Sequence, residues 1–107
     1  MESRPRTIHI YEGPDGERPY ETWVKSLEPM RAKTTIAARL DRAARGLLGD
    51  WKPVRNGVCE LRIHFGPGYR VYFGFDGDTM VLLCGGTKSN QTRDISRAAE
   101  YWRDYNA

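Results

Sequence analysis

The feature that most constrains this chain is a regular alternation of apolar and polar residues that begins after position 57. Apolar residues occupy every second position in two successive segments, at Cys59, Leu61, Ile63 and Phe65 and then at Tyr69, Val71, Phe73 and Phe75. A period of two residues is typical of a β-strand with one buried face. Residues 66–68, which separate the segments, read Gly-Pro-Gly, a sequence typical of a turn. The pattern therefore predicts an antiparallel hairpin.

The register of this hairpin follows if its turn is limited to residues 66–68. A one-residue slip would move a whole apolar row onto the polar face, so only pairings that keep the apolar rows together are acceptable. With this turn, we expect His64 to face Arg70 and Arg62 to face Tyr72. Directly opposed side chains lie ~4.5–5.5 Å apart. We therefore expect these four residues to form one patch on the polar face.

A third strand is predicted at residues 79–84, because this apolar run is typical of a central strand that is buried on both faces. Residues 85–88, Gly-Gly-Thr-Lys, are expected to form a tight exit from this strand into a final helix. The N-cap of that helix is expected at Ser89 or Asn90. Its apolar stripe consists of Ile95, Ala98, Ala99, Trp102 and Tyr105.

The residue pattern of the N-terminal half predicts one short strand and two helices. Residues 6–11 read as the strand, and the next apolar residues fall at helical spacing, at Tyr20, Trp23, Val24 and Leu27. They predict a helix at residues 18–27. Pro29 suits the first turn of a second helix, at residues 29–48. Residues 50–56 are expected to form a loop.

These elements give the order β-α-α-β-β-β-α in a single α+β domain that spans all 107 residues. No apolar run approaches the ~20 residues that a membrane span needs, so no membrane partner is expected. Cys59 and Cys84 both fall at apolar strand positions, which favours buried free thiols in a reducing compartment. The expected location is cytoplasmic.

Positive charge is concentrated in the strand-rich half. The net charge of +3 at pH 7 is compatible with a polyanionic partner. Asp76 and Asp78 fall in the turn at the opposite end of the second strand, so cations are expected to gather around one end and one face of the sheet. Between positions 52 and 93 the cations are Lys52, Arg55, Arg62, Arg70, Lys88 and Arg93.

Two arginines that face the same patch repel each other, and such a pair is tolerated most readily when it binds an anion. Arg62 and Arg70 therefore indicate a phosphate site. The alternative is structural: Glu60 pairs with one of the arginines, and the final helix covers this face.

Two further residues could contribute to chemistry at this patch. Lys88 follows two glycines and precedes a helix N-terminus, where backbone N–H groups favour anions. His64 could accept a proton from a ribose 2′-hydroxyl group, although a strand histidine can also be a simple polar-face residue. The sequence contains no HExxH, paired CxxC, GxSxG or GxGxxG motif. No metal site and no cofactor are therefore expected.

A family resemblance rests on three runs of residues. These are Glu60-Leu61-Arg62-Ile63, then GPGYRVYF at residues 66–73, and LLCGGTKSNQ at residues 82–91 followed by Asp94 and Ile95. Together they resemble the RelE/ParE-superfamily toxins of type II toxin–antitoxin modules, and most closely the HigB-like addiction module killer branch. The helical half agrees with that family only in the order and length of its elements.

The resemblance implies a RelE-like α+β fold in which a helical hairpin packs on an antiparallel sheet. It also implies an endoribonuclease that cuts mRNA on the ribosome and is neutralised by a helix-turn-helix antitoxin. The catalytic basic positions of the family match Arg70 and Lys88, and Arg62 matches its Glu-Leu-Arg motif. The chain departs from the family at Thr87, where aspartate is usual, and at Asp94, near the place where some members carry a tyrosine.

The expected reaction is attack of a 2′-hydroxyl group on the adjacent phosphate, which leaves a 2′,3′-cyclic phosphate without the help of a metal. Arg62 and Arg70 would stabilise the phosphorane, and Lys88 would stabilise the leaving oxygen or a flanking phosphate. The predicted RNA-binding residues are Lys52, Arg55 and Arg93 for the backbone and Tyr69 and Tyr72 for stacking on a base. Two alternatives remain: a ParE-like gyrase inhibitor that cleaves nothing, and an inactive nucleic-acid-binding relative.

Overall fold

The alternating residues form the central hairpin of a five-stranded sheet, and helices cover both faces of that sheet. In the computed structural model, which describes residues 4–107, the order of the strands across the sheet is β1-β5-β4-β3-β2. The elements are β1 (Thr7–Ile10), α1 (Pro19–Lys25), α2 (Met30–Ala44), β2 (Trp51–Arg55), β3 (Val58–Ile63), β4 (Tyr69–Asp76), β5 (Thr79–Thr87), a 3₁₀ turn (Lys88–Asn90) and α3 (Gln91–Tyr105). The predicted α+β class is therefore confirmed.

The predicted antiparallel sheet and element order both require correction. β1 pairs with β5 in parallel, so the sheet is mixed. Residues 51–55, expected within a loop, instead form β2, which pairs with β3 at the edge of the sheet. This strand contains Pro53, which has no backbone N–H to donate to a neighbouring strand. An edge strand tolerates this loss because one of its two sides has no neighbour. The register of β2 on β3 shifts between Pro53 and Arg55.

Both N-terminal helices are shorter than predicted. Helix α2 stops at Ala44 because Gly46 adopts a φ of 93° and its neighbour Leu47 donates a backbone hydrogen bond to Arg42 O. A left-handed glycine just after the last turn is a common way to end a helix. Asn90, one of the two predicted N-cap residues, occupies the N-cap position of the last helix, but its side chain makes no capping hydrogen bond.

The two sheet faces carry separate hydrophobic clusters. The apolar row of the hairpin, with Leu61, Val71 and Phe73, packs against α1 and α2, whereas Tyr72 and Val81 pack against α3. The two cysteines are free and buried, with Cys59 in the first cluster and Cys84 in the second. Burial raises the pKa of the Cys84 thiol to about 12.

Glycine in each central strand lets a tryptophan lie flat on the sheet. A Cβ atom at Gly85 would come within 2.2 Å of the Trp23 ring of α1, and one at Gly74 would come within 2.6 Å of the Trp102 ring of α3. The helices can approach β4 and β5 this closely only because these positions have no side chain. Together the two contacts anchor helices on opposite faces of the sheet.

The hairpin register differs from the prediction by two residues. Arg62 pairs directly with Arg70, and Glu60 pairs with Tyr72, because residues 64–68 all belong to the loop. His64 therefore lies outside the strand and does not face Arg70. Glu60, Arg62, Arg70 and Tyr72 nevertheless lie on the polar face that the alternation predicts. A register shift of two residues keeps every side chain on its original face.

Strand β5 continues past its predicted end at residue 84. Gly86 pairs with Arg70 and Thr87 pairs with Tyr69, so the two glycines lie inside the sheet. The backbone N–H of Lys88 then donates to Gly68 O at 2.9 Å. This bond places Lys88 beside the hairpin loop. Within residues 4–107, no helix is long and apolar enough to cross a membrane.

The contact between Gly85 and Trp23 predicts how the fold responds to overpacking. We expect Gly85→Ala to lower the free energy of unfolding by about 1–3 kcal/mol, because the added methyl group displaces the indole ring. The same substitution should cost much less in a Trp23→Leu background, where the ring is absent. Urea denaturation of the single and double variants measures both costs. Equal costs in the two backgrounds would contradict the proposed contact.

Candidate functional site: a cationic cleft at the end of the central hairpin

A polar cleft of about 580 Å³ opens where β3 and β4 meet their connecting loop. It draws side chains from β2, β3, β4, the hairpin loop and the start of α3. The lining residues are Lys52, Glu60, Arg62, His64, Phe65, Gly66, Pro67, Gly68, Arg70, Lys88 and Gln91. The cleft thus contains five of the predicted site residues, namely Lys52, Arg62, His64, Arg70 and Lys88.

At the floor of the cleft, the fully buried carboxylate of Glu60 lies between the two predicted arginines. Its Oε1 atom is 3.2 Å from Arg62 Nε, and its Oε2 atom is 3.8 Å from Arg70 Nε. Gln91 Nε2 donates to Oε2 at 2.5 Å, and the Tyr72 hydroxyl donates to the same atom at 3.3 Å. Because desolvating a carboxylate is costly, these partners are what allow Glu60 to remain buried.

The structure agrees in part with the alternative in which Glu60 pairs with an arginine and the final helix covers this face. Glu60 pairs with both arginines, and α3 covers the inner part of this face, including Tyr72. Arg70 is accordingly a buried residue with 7% of its surface exposed, and not the surface residue that the alternation suggests. Arg62 has 29% of its side chain exposed and forms part of the cleft wall.

Positive charge in the cleft exceeds what Glu60 can balance. Four cations line the cleft against this one carboxylate. Lys52 and Lys88 are exposed, and neither side chain has an ion-pair or hydrogen-bond partner within residues 4–107. The buried Nε atoms of Arg62 and Arg70 also lack a hydrogen-bond acceptor there. This arrangement favours an anionic ligand with several acceptor oxygens.

At the mouth of the cleft, His64 is held by an acidic residue that sequence reasoning missed. His64 Nε2 lies 2.6 Å from Asp50 Oδ2, and 71% of the histidine side chain is exposed. The hydrogen bond from His64, together with the positive charge of Arg62, lowers the pKa of the Asp50 carboxyl group. When Nε2–H donates to Asp50, Nδ1 is left free to accept a proton. His64 therefore offers an acceptor nitrogen at the mouth of the cleft, which a general base needs.

Four of the predicted RNA-binding residues do not line the cleft. Arg55 donates to Ser96 Oγ at 3.1 Å on the α3 side, and the exposed Arg93 lies 3.6 Å from Asp94. Tyr69 is buried against α1 and Tyr72 is fully buried, so the prediction that either ring stacks on a base is wrong for this conformation. Burial and the Glu60 carboxylate also raise the pKa of Tyr72.

Gln91 and the hairpin loop are further cleft components that no pattern assigned. Gln91 is the last residue of the Gly-Gly-Thr-Lys-Ser-Asn-Gln run that carries the family resemblance, but that resemblance assigns it no role. Asp50 carries no sequence signal, because its contact with His64 depends on how β2 folds back along β3. Across residues 4–107, no three His, Cys, Asp or Glu side chains cluster closely enough to hold a metal ion.

Comparison with known proteins identifies a relative of this chain. The chain matches no model of a described protein family. An uncharacterized protein of Haemophilus influenzae is 46% identical to it over 80 residues, which cover 74% of this chain and 81% of the relative. Identity at this level over most of both chains shows common descent. The chain therefore belongs to the same protein family as this uncharacterized protein of Haemophilus influenzae.

Proposed function

We propose that this protein is the toxin of a type II toxin–antitoxin module and that it cleaves mRNA on the ribosome. The observation that carries the proposal is the cleft in which Arg62, Arg70, Lys52 and Lys88 surround the buried carboxylate of Glu60. Its excess positive charge suits the RNA backbone. The resemblance of residues 60–95 to RelE/ParE-superfamily toxins of the HigB-like branch adds independent support, since it assigns Arg70 and Lys88 to the same chemistry.

The cleft provides groups for each step of metal-independent phosphodiester cleavage. His64 takes the proton of the 2′-hydroxyl group through its free Nδ1 atom, and the 2′-oxygen then attacks the adjacent phosphorus. Arg62 and Arg70 stabilise the additional negative charge of the phosphorane. The bond from phosphorus to the 5′-oxygen breaks, and the leaving oxygen takes a proton from Lys88, which regains one from water. The proton that His64 accepted returns to the solvent. The products are a 2′,3′-cyclic phosphate and a 5′-hydroxyl group.

The same cleft suggests how a helix-turn-helix antitoxin would neutralise the toxin. Lys52 and Lys88 are exposed cations without partners in the described chain, and an acidic segment could pair with them. Such a segment would exclude RNA because both ligands need the same cations. The proposed fold relationship is RelE-like, with α1 and α2 as the helical hairpin on one face of the sheet.

The decisive experiment is unopposed expression of the protein in bacteria, with Lys88→Ala as the test variant. We expect wild type to arrest growth and to cleave translated mRNA while DNA supercoiling stays unchanged. Lys88→Ala should reduce cleavage by about 10²-fold or more, since it removes a cation that stabilises developing charge. Because Lys88 is exposed, the thermal melt should not change.

Lys33→Ala is the matched control, because it removes the same charge from helix α2, outside the cleft. This variant should cleave like wild type. Intact mRNA accompanied by double-strand DNA breaks would reject the nuclease and support gyrase poisoning. Growth arrest without either change would reject both activities.

Anion binding by the cleft can be tested without any RNA. Glu60→Gln should lower the melting temperature in chloride, because it leaves the buried Arg70 and the half-buried Arg62 without their carboxylate. Sulfate should restore stability by binding those groups, so its effect should be larger for Glu60→Gln than for wild type. Thermal melts at constant ionic strength measure this difference.

Sulfate stabilises most folded proteins to some extent, so a control variant is needed. Glu12→Gln removes an exposed carboxylate that pairs with Arg18 and does not line the cleft. Its sulfate response should equal that of wild type. If all three proteins gain the same stability from sulfate, the arginines do not form an anion site.

A further inference from the structure

A second groove adjoins the cleft on the other side of Arg62 and His64. It has a volume of about 500 Å³ and runs between α2 and the end of β3. Arg62 and His64 line both depressions, so they form the ridge that separates them. A strand of RNA that leaves the cleft across this ridge enters the groove directly. The opposite wall consists of Thr34, Thr35, Ala38, Arg39 and Arg42 of α2.

The guanidinium group of Arg39 is held rigidly beside this groove. Its Nη1 atom donates to Leu48 O at 2.7 Å, and its Nη2 atom donates to Arg62 O at 2.9 Å and to Asp50 O at 3.3 Å. These three backbone carbonyls fix the orientation of the plane. The side chain therefore gives up little conformational entropy when a ligand contacts it.

Gly49 lies over one flat face of this guanidinium group. A Cβ atom at Gly49 would lie 3.3 Å from each of Cζ, Nη1 and Nη2 of Arg39, and such equal distances place Gly49 over the face of the plane. Three of its five N–H groups are used by the carbonyls. Arg39 lines the groove, so a base that enters the groove meets this side chain.

We propose that the groove binds the base of the nucleotide next to the phosphate in the cleft, with that base stacked on the guanidinium of Arg39. Arginine planes are established stacking partners for unstacked RNA bases. Ala38 and Ile63 supply apolar contacts beside the stack. The inference rests on the proposed function, because it takes single-stranded RNA as the ligand.

The groove also carries charge suited to a second phosphate. Arg42 is exposed, lines the groove and has no partner among residues 4–107. The hydroxyls of Thr34 and Thr35 donate to the carbonyls of Met30 and Arg31, so their oxygens remain available as acceptors for base N–H groups. These features complement a nucleotide that continues the chain from the cleft.

Ala38→Gln tests the proposal by filling the groove from an exposed helix position without changing charge. The probe is a fluorescent mixed-sequence hexaribonucleotide with 2′-O-methyl groups, which cannot be cleaved by 2′-hydroxyl attack. Stacking on a single base is worth ~1–3 kcal/mol, so we expect Ala38→Gln to weaken binding by about 5-fold or more. Ala37→Gln is the matched control, since Ala37 is equally exposed on α2 but does not line the groove.

A second measurement locates the base. Methyl NMR of Ala38 should show a ring-current shift when the hexaribonucleotide is added and none when inorganic phosphate is added, because phosphate has no aromatic ring. The affinity for inorganic phosphate should be the same in Ala38→Gln and wild type.

The outcomes separate this inference from the proposed function. If Ala38→Gln binds the hexaribonucleotide as Ala37→Gln does, the base site is overturned, while loss of mRNA cleavage in Lys88→Ala would still support the nuclease. If Ala38→Gln weakens a protein partner and leaves RNA binding unchanged, the groove is a protein-docking surface and the base site is likewise overturned. If Lys88→Ala cleaves mRNA as wild type does, the cleft assignment is wrong, whatever happens at the groove.

Discussion

The buried ion cluster around Glu60 is the interaction on which the candidate site depends. Arg62 and Arg70 are paired directly across the central hairpin, so without an anion between them their side chains would diverge. Glu60 holds both, and Gln91 and Tyr72 hold Glu60. Strands β3 and β4 and helix α3 therefore all contribute to one charge arrangement. The cluster links the packing of the last helix to the shape of the cleft.

Close packing of both helical layers determines where this site can open. Trp23 and Trp102 lie against glycines on opposite faces of the central strands, so the middle of the sheet is covered on both sides. The hairpin loop at residues 64–68 projects beyond those layers, and the cleft opens at that end. A charged site can exist there because water reaches Lys52, His64 and Lys88, while the same groups would be prohibitively costly between the layers.

The strand pattern could be predicted from the sequence because it depends on local alternation, but pairing details could not. The faces of β3 and β4 are those expected, whereas their register is displaced by two residues because the loop is longer than its Gly-Pro-Gly core. Strand β2 gave no signal: it is a five-residue edge strand that includes Pro53. Short edge strands are stabilised by their neighbour more than by their own propensity.

For the site, the sequence identified the cations and, as an alternative, the pairing of Glu60 with an arginine, but not the contacts that Asp50 and Arg39 make. Five predicted residues meet in the cleft, but strand alternation accounts only for Arg62 and Arg70, which share a face of adjacent strands. Lys52, His64 and Lys88 reach it from β2, the hairpin loop and the 3₁₀ turn. The contact of Asp50 with His64 and the contacts of Arg39 with three carbonyls join segments distant in the chain. No local pattern encodes them. The place of Tyr72 in the polar row assigns it to the ligand-binding face, but α3 buries its aromatic ring.

The two kinds of cation in the cleft have different physical roles. Glu60 fixes the arginines, so their positive charge is already in place when a phosphate arrives, and little reorganisation is needed as negative charge develops. Lys52 and Lys88 have no partners in the described chain, so they keep their side-chain freedom and attract polyanions over longer distances. A site built only from free lysines would bind RNA without orienting its phosphate, and one built only from the Glu60 cluster would carry too little net charge to attract it. The combination gives the buried carboxylate a role at the centre of the proposed anion site: it reduces the total charge but fixes the part of that charge that would act on the reacting phosphate.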